Sequence, residues 1–354
     1  MSVRPHDDAR AGKVAARVAV IGSGSWGTAV TGLLAPQVEH ITVWAHDERV
    51  AQAINQTRHN PVQLPEYEFP REATATSSLA EAVRDVEAAL LVVPSAFLRA
   101  TCTQLAPFLG EDVPVLVLTK GVERKTGCLM ADVASQELGN RDRTAVLSGP
   151  NHAEEISQGT ISAAVIAAYD MDVARYFQRM LVCPAFRVYV TDDVAGVEIC
   201  AATKNVIAIA CGIAAALGAG DNTLAALMTR GLAEVSRIAT ALDANPLTCM
   251  GLAGMGDLVA TCTSRHSRNR TFGEAFVGGE SLAAYEGRTG MVVEGAEAAA
   301  SILDVARTHD VQAPITKAVY DLLYGGSPLS EAIDALLGRR PVEEFYGVAF
   351  AERG

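Results

Sequence analysis

The chain has 354 residues, 49% hydrophobic and 20% charged, which is enough for two domains with real cores and too apolar for a disordered chain. Seven scattered cysteines do not make a secreted disulfide scaffold, and 41 acidic against 29 basic residues, a net charge of −12, exclude a general nucleic-acid binder. Met1–Lys13 is polar and charged with no apolar stretch, so residues 1–14 read as a loose tail, not a targeting segment.

In chain order, Arg17-Val18-Ala19-Val20-Ile21 is a short apolar run that meets Gly22, followed by a helical pattern through Ala29, Leu33 and Leu34. Ile41–Trp44 is a second strand-like run. Ala88–Val93, Val113–Leu118, Ala145–Leu147, Ala163–Ala167 and Arg187–Val190 continue the series. Apolar runs alternating with helical stretches predict a buried parallel sheet covered by helices, an α/β doubly wound sheet of Rossmann type. From Val194 the texture changes: Val194–Leu217, Leu224–Leu242, Gly295–His309 and Thr316–Leu323 are rich in Ala and Leu at helical spacing. The expected division is a dinucleotide-binding domain over 15–192 and an all-α substrate-binding domain over 193–354, with the site between them. The uncharged stretch Asn205–Gly220 is short for a membrane span and broken by Gly212 and Gly218, so a soluble, cytoplasmic protein without membrane insertion is expected.

Gly22-Ser23-Gly24-Ser25-Trp26-Gly27 fits G-x-G-x-x-G between a strand and a helix. Gly22 would make the tight turn, Gly24 would let a pyrophosphate approach, and Gly27 would pack helix on strand. The helix N-terminus then offers free N–H groups to an anion. The second strand runs into His46-Asp47-Glu48-Arg49: Asp47 suits a ribose hydroxyl, whereas His46 and Arg49 suit a 2′-phosphate. NADPH is the expected cofactor, with NADH the open alternative.

Only five of the 29 basic residues are lysines: Lys13, Lys120, Lys125, Lys204 and Lys317. Arginine serves as the surface cation, so a retained lysine marks a place where an amine that can lose its proton is useful. Lys204 lies within an apolar helical stretch, where burial lowers an amine's pKa towards neutrality and suits it to proton transfer. Lys120 stands at the carboxyl end of a strand. Gly251–Leu258 reads as a flexible, glycine-rich approach carrying Asp257. After it comes Arg265-His266-Ser267-Arg268-Asn269-Arg270, a local reversal of sign in an acidic chain. Arg268 and Asn269 read as anion ligands, and Arg265 and Arg270 as solvated helix-start residues. No C-x-x-C or H-E-x-x-H motif is present, so no metal site is expected.

Taken together, these blocks resemble the bacterial-type NAD(P)-dependent sn-glycerol-3-phosphate dehydrogenases. The likeness runs from Arg17 to Gly338, through Val20–Ala29, Thr119-Lys120-Gly121, Ser148-Gly149-Pro150, Lys204–Ala208, Gly256-Asp257-Leu258 and Ser267–Arg270 in order. It implies reversible reduction of dihydroxyacetone phosphate to sn-glycerol 3-phosphate for phospholipid synthesis, with Lys204 as proton donor. It further implies substrate contacts at Lys120, Gly149, Asn151, Lys204, Asp257, Ser267, Arg268 and Asn269. Cofactor contacts would fall on Ser25, Trp26, His46, Lys120, Ala153, Arg268, Val292 and Glu294, beside the glycines already named, and the chain would be a homodimer. Asn151 stands where threonine is frequent in that family, and Trp26 where a smaller aromatic is common; neither change removes a catalytic group. Two other readings share the glycine fingerprint. A hydroxyacid or ketopantoate-type reductase would not need the cationic segment, and a non-catalytic NADPH-sensing regulator would need neither lysine nor Asp257.

Overall fold

The computed structural model describes residues 13–338 together with 340, 343, 344, 346 and 347, so most of the expected tail lies outside the described residues. Lys13, read as part of that tail, is instead tied down: its Nζ donates to the carbonyl of Val38 at 2.7 Å. The first strand starts two residues later.

Eight strands form one sheet: β1 (Ala15–Ile21), β2 (Val38–Trp44), β3 (Ala73–Thr76), β4 (Ala88–Leu91), β5 (Val115–Val117), β6 (Thr144–Ser148), β7 (Ser162–Ala168) and β8 (Phe186–Thr191). Their spatial order is β3-β2-β1-β4-β5-β6-β7-β8. The order turns back between β1 and β4, and the crevice at the carboxyl ends of those strands is where such sheets bind ligands. The expectation of a parallel sheet holds except at one seam, where β7 pairs antiparallel with β6. A run of apolar residues carries no mark of its direction, which is why the seam is invisible in the sequence. β3 was not anticipated either, because Ala73-Thr74-Ala75-Thr76 has too little apolar bulk to stand out.

Both faces of the sheet are buried at its centre, where β4, β5 and β6 are buried throughout. In β1, Val18 and Val20 join one apolar cluster while Ala19 and Ile21 join another on the opposite face. That alternation with burial on both sides is what a doubly wound sheet requires.

Beyond Thr191 every element among the described residues is helical. The hub is the helix Val194–Ala216, against which the helices Asp221–Ala241, Asp257–Thr263, Arg268–Val277 and Glu294–Thr308 pack. It is long and apolar enough to cross a membrane, yet 83% of its most apolar window is buried against the rest of the chain. It starts eleven residues before the uncharged stretch seen in the sequence, because Glu198 and Lys204 are taken into the interior with it.

Two glycines let a neighbouring helix approach this hub at backbone distance. A Cβ at Gly212 would run into the carbonyl oxygen of Arg270, and one at Gly273 into that of Ile209. The segment expected to be a flexible approach is ordered: Leu252–Gly256 forms a wide helical turn that leads directly into the helix Asp257–Thr263. A Cβ at Gly254 would collide with the Cys249 carbonyl. Glycine there serves tight packing rather than mobility.

Candidate active site

β1 ends in the glycine turn, and each glycine of the fingerprint meets a different constraint. Gly22 has φ +129°, and a Cβ there would sit 2.8 Å from the Val92 carbonyl oxygen. Gly27 lies against the carbonyl of Gly22, so only a residue without a side chain fits between helix and strand. Gly24 differs from both, since nothing lies within 4 Å of the place its Cβ would take. It is the N-cap of the helix Ser25–Leu34, with no side-chain cap and no acidic residue in the first turn. The free amides of that helix end are therefore left without a protein anion. Bare N–H groups with open space before them fit a dinucleotide pyrophosphate.

This turn opens onto a cleft of about 350 Å³ between the sheet and the helical half. Of the residues singled out from the sequence, Gly22, Gly24, Ser25, Trp26, His46, Lys120, Asn151, Ala153, Lys204, Asp257, Ser267, Arg268, Asn269, Val292 and Glu294 all line it. Gly27 and Gly149 do not. Gly149 has φ +146° and faces β7, where a Cβ would meet the Ala163 carbonyl at 2.8 Å, so it shapes the turn after β6 behind the cleft wall.

Asp47 and Arg49 are also absent from the lining. Asp47 is the N-cap of the helix Glu48–Thr57 and accepts from the Arg49 backbone N–H at 2.9 Å. The Arg49 guanidinium chelates the same carboxylate and, with that backbone bond, holds its pKa down at about 2. The two residues considered as alternative ribose ligands thus satisfy each other, and of that loop His46 reaches the cleft.

The centre of the cleft is a compact charged cluster. Lys204 Nζ donates to Asp257 Oδ1 at 2.6 Å and to Thr261 Oγ1 at 2.7 Å. Lys120 Nζ donates to Asp257 Oδ2 at 2.9 Å and to Asn151 Oδ1 at 3.3 Å. Ser148 Oγ donates to Asp257 Oδ2 at 3.2 Å. One carboxylate, 2% exposed, therefore holds two ammonium groups.

The apolar flanks of Lys204 in sequence correctly indicate burial, but they conceal this polar partner 53 positions away. Burial drives the Lys204 ammonium down to about 8; the Lys120 charge adds to that, and the Asp257 carboxylate opposes it. Burial pushes Asp257 the other way, yet the two ammonium groups outweigh it and leave its carboxyl below the usual range. The result is an amine that can exchange a proton near neutrality beside a carboxylate that stays ionised.

The cationic segment divides its labour. Ser267 is the N-cap of the helix Arg268–Val277, its Oγ accepting from the Arg270 N–H at 3.3 Å. Arg270 pairs with Glu274 at 2.8 Å, which agrees with its reading as a helix-start residue. Asn269 is engaged within the fold: its Nδ2 donates to Asn205 Oδ1 at 3.0 Å and its Oδ1 accepts from the Gly295 N–H at 2.8 Å. Arg268 instead reaches across the cleft, donating to Ser25 Oγ at 3.2 Å on the glycine-turn helix.

Sequence reasoning missed several lining residues. Thr261 stands four residues after Asp257 on one helix, a spacing that puts both on one face. Asn205 adjoins Lys204, and its Nδ2 lies 3.4 Å from Glu294 Oε2. His152 follows Asn151, and burial, reinforced by the Lys204 charge, lowers its pKa and favours the neutral ring. Asn151 Nδ2 is buried with no partner while its Oδ1 accepts from Lys120, which leaves a donor available at the cleft.

A Rossmann-type sheet with an uncapped glycine turn, facing a buried lysine on a helical second half, defines a two-domain nicotinamide-dependent dehydrogenase. Profiles described as the N-terminus and the C-terminus of NAD-dependent glycerol-3-phosphate dehydrogenase match residues 17–174 and 193–334, and the chain belongs to that family. A relative named glycerol-3-phosphate dehydrogenase (NAD(P)+) from Corynebacterium aurimucosum is 44% identical over 326 residues, covering 92% of this chain and 98% of the relative. The crystal structure of glycerol-3-phosphate dehydrogenase from Coxiella burnetii superposes with TM-score 0.87 at 33% identity, covering 92% of this chain and all of that one. A ketopantoate reductase from Ralstonia eutropha superposes with TM-score 0.54 at 17% identity, a likeness of fold alone.

Proposed function

We infer that Lys204 carries the proton in this family's reaction, the reversible NAD(P)H-dependent reduction of dihydroxyacetone phosphate to sn-glycerol 3-phosphate. The chain is an oxidoreductase for that reaction, and its product fits a place in phospholipid synthesis. The observation that carries the assignment is the buried Lys204 ammonium, in the same cleft as the uncapped glycine turn and fixed by Asp257 and Thr261.

Bound NAD(P)H supplies the hydride. As negative charge builds on the ketone oxygen, the Lys204 ammonium stabilises it and donates the proton; in reverse the neutral amine takes the proton from the alcohol. Asp257 fixes the orientation of both lysines. Lys120 and the free Nδ2 of Asn151 are available to the substrate's oxygen atoms. Arg268 serves the phosphate end, where a guanidinium fork matches phosphate oxygens. Binding at that remote anion orients a three-carbon substrate that has few other handles. Ser25, Trp26, His46, Ala153, Val292 and Glu294 are assigned to the cofactor with Gly22 and Gly24, a role supported by their place in the lining of the same cleft. Gly27 shapes the turn that presents them.

Residues 15–192 are taken as the dinucleotide-binding domain and 193–354 as the substrate domain, supported by the last strand ending at Thr191 and the hub helix starting at Val194. The family likeness also supports a cytoplasmic homodimer, which sedimentation of the purified chain tests. The function itself is tested by loss of NADPH absorbance on adding dihydroxyacetone phosphate, with unphosphorylated dihydroxyacetone as the comparison. The phosphorylated ketone should react with a kcat/KM at least roughly 100-fold higher. Equal rates on both would remove Arg268 from its assigned role.

A further inference from the structure

Among the described residues of the helical half two glutamates are buried, Glu198 and Glu234, and they differ in how they are satisfied. Glu234 accepts from the Ile315 N–H at 2.8 Å, the Thr316 N–H at 2.9 Å and Thr316 Oγ1 at 2.6 Å, so both of its oxygens are used. Glu198, on the hub helix and 5% exposed, reaches into the first domain and accepts from the Ala131 N–H at 3.0 Å through Oε1. That amide belongs to the first turn of the helix Met130–Leu138. Its second oxygen, Oε2, is buried with no partner. A buried carboxyl oxygen without a partner is costly, so an unfilled contact there calls for an explanation.

Beside Glu198 lies a small, partly open void of about 10 Å³, where Thr119, Lys120 and Ser148 stand among otherwise apolar lining residues. That is room for one water molecule. Ser148 is also the residue whose hydroxyl donates to Asp257 Oδ2.

We propose that Glu198 is a positioning residue for the proton-transfer cluster, joined to it by one internal water that bridges Glu198 Oε2 and Ser148 Oγ. The hydrogen bonds then run in one direction: Glu198 donates to the water, the water to Ser148, and Ser148 to Asp257, which holds Lys204. This order needs the neutral acid. Burial keeps Glu198 protonated, with its pKa raised to about 8 against the Ala131 and Met130 amides that favour the anion. The same side chain pins the hub helix to the first domain six residues, about 9 Å of rise, before Lys204. The inference rests on the assignment of Lys204 as proton carrier.

The test is kinetics on five variants, with NADPH affinity measured separately by fluorescence. Ser148→Ala removes the last donor with little change in volume and should lower kcat about tenfold, leaving KM for both substrates within about twofold. Glu198→Met should lower kcat by a similar factor, and the double variant should fall no further than either single one. Glu198→Gln keeps an acceptor for Ala131 and a donor for the water, so its kcat should stay within about threefold of the parent. An unchanged kcat in Ser148→Ala, or a Gln variant as impaired as the Met variant, overturns the proposal even if Glu198→Met does not fold. Lys204→Met is the fifth variant. Turnover retained there would sink the underlying assignment, whereas an inactive Lys204→Met beside a fully active Ser148→Ala sinks only the role of Glu198.

Discussion

Two helix N-termini face each other across the cleft, and they are finished in opposite ways. The helix Ser25–Leu34 begins at Gly24 with no side-chain cap, while Arg268–Val277 begins at Ser267, whose own hydroxyl closes the first turn. The first end offers its backbone to an anion; the second spends its backbone on itself and offers the Arg268 side chain. A glycine-capped end without a side-chain cap forgoes roughly a few tenths of a kcal/mol of stability, which is expected where a ligand is to complete the structure. The contrast teaches that binding chemistry on the sheet side lies in what is missing from the sequence, and on the helical side in what is present.

Lys204→Met gives the largest effect expected of this division. Turnover should drop by about 10³-fold or more while NADPH binding, for which the glycine turn is proposed as the main anchor, stays within about twofold. In the parent enzyme, ketone reduction needs the charged amine, so kcat/KM should fall about tenfold per pH unit above about 8. Oxidation of glycerol 3-phosphate needs the neutral amine, so it should rise about tenfold per pH unit up to about 8 and level off above it. Pre-steady-state traces and pH profiles in both directions check this; two profiles with the same slope would break it.

Next in size is Gly24→Asp. The site has extended backbone and open space, so the carboxylate should cap the helix and raise the thermal midpoint slightly. The same charge should weaken NADPH binding by roughly 100-fold, since it occupies the amides and repels the pyrophosphate. Calorimetry alongside titration reads both, and unimpaired cofactor affinity would erase the distinction between the two helix ends.

Ser267→Ala is the mirror experiment and the smallest effect. It should cost about 1 kcal/mol of stability, with NADPH affinity within about twofold of the parent, as seen in denaturant unfolding and fluorescence titration. A large loss of cofactor affinity there would show that Ser267 does more than cap its helix.

Local chemistry was legible in the sequence, and chemistry that depends on distant partners was not. The glycine turn could be read because strand, turn and helix are contiguous between Arg17 and Leu34. Lys204 could be singled out by its rarity and apolar flanks. Its joint hold on Asp257 with Lys120 could not, because the three residues come from the end of the sheet, the hub helix and a later helix. Asp47 shows the opposite limit. Its position after β2 suggested a ribose ligand, yet the Asp-Glu-Arg run that follows is equally a helix start, and capping took the carboxylate. The glycines of 251–256 suggested looseness because composition cannot distinguish a glycine that frees the backbone from one that lets two backbones touch.

The crossing at Gly212 and Gly273 has a bearing on specificity. It leaves no side-chain layer between the helix bearing Lys204 and the helix bearing Arg268, so the two pack backbone against backbone. If Lys204 and Arg268 act as proposed, the spacing of their backbones is set by this contact before any ligand arrives. Such a fixed gauge would reject a ketone whose anionic group is one carbon too near or too far, and enlarging either glycine would recalibrate it without touching any atom that meets the substrate.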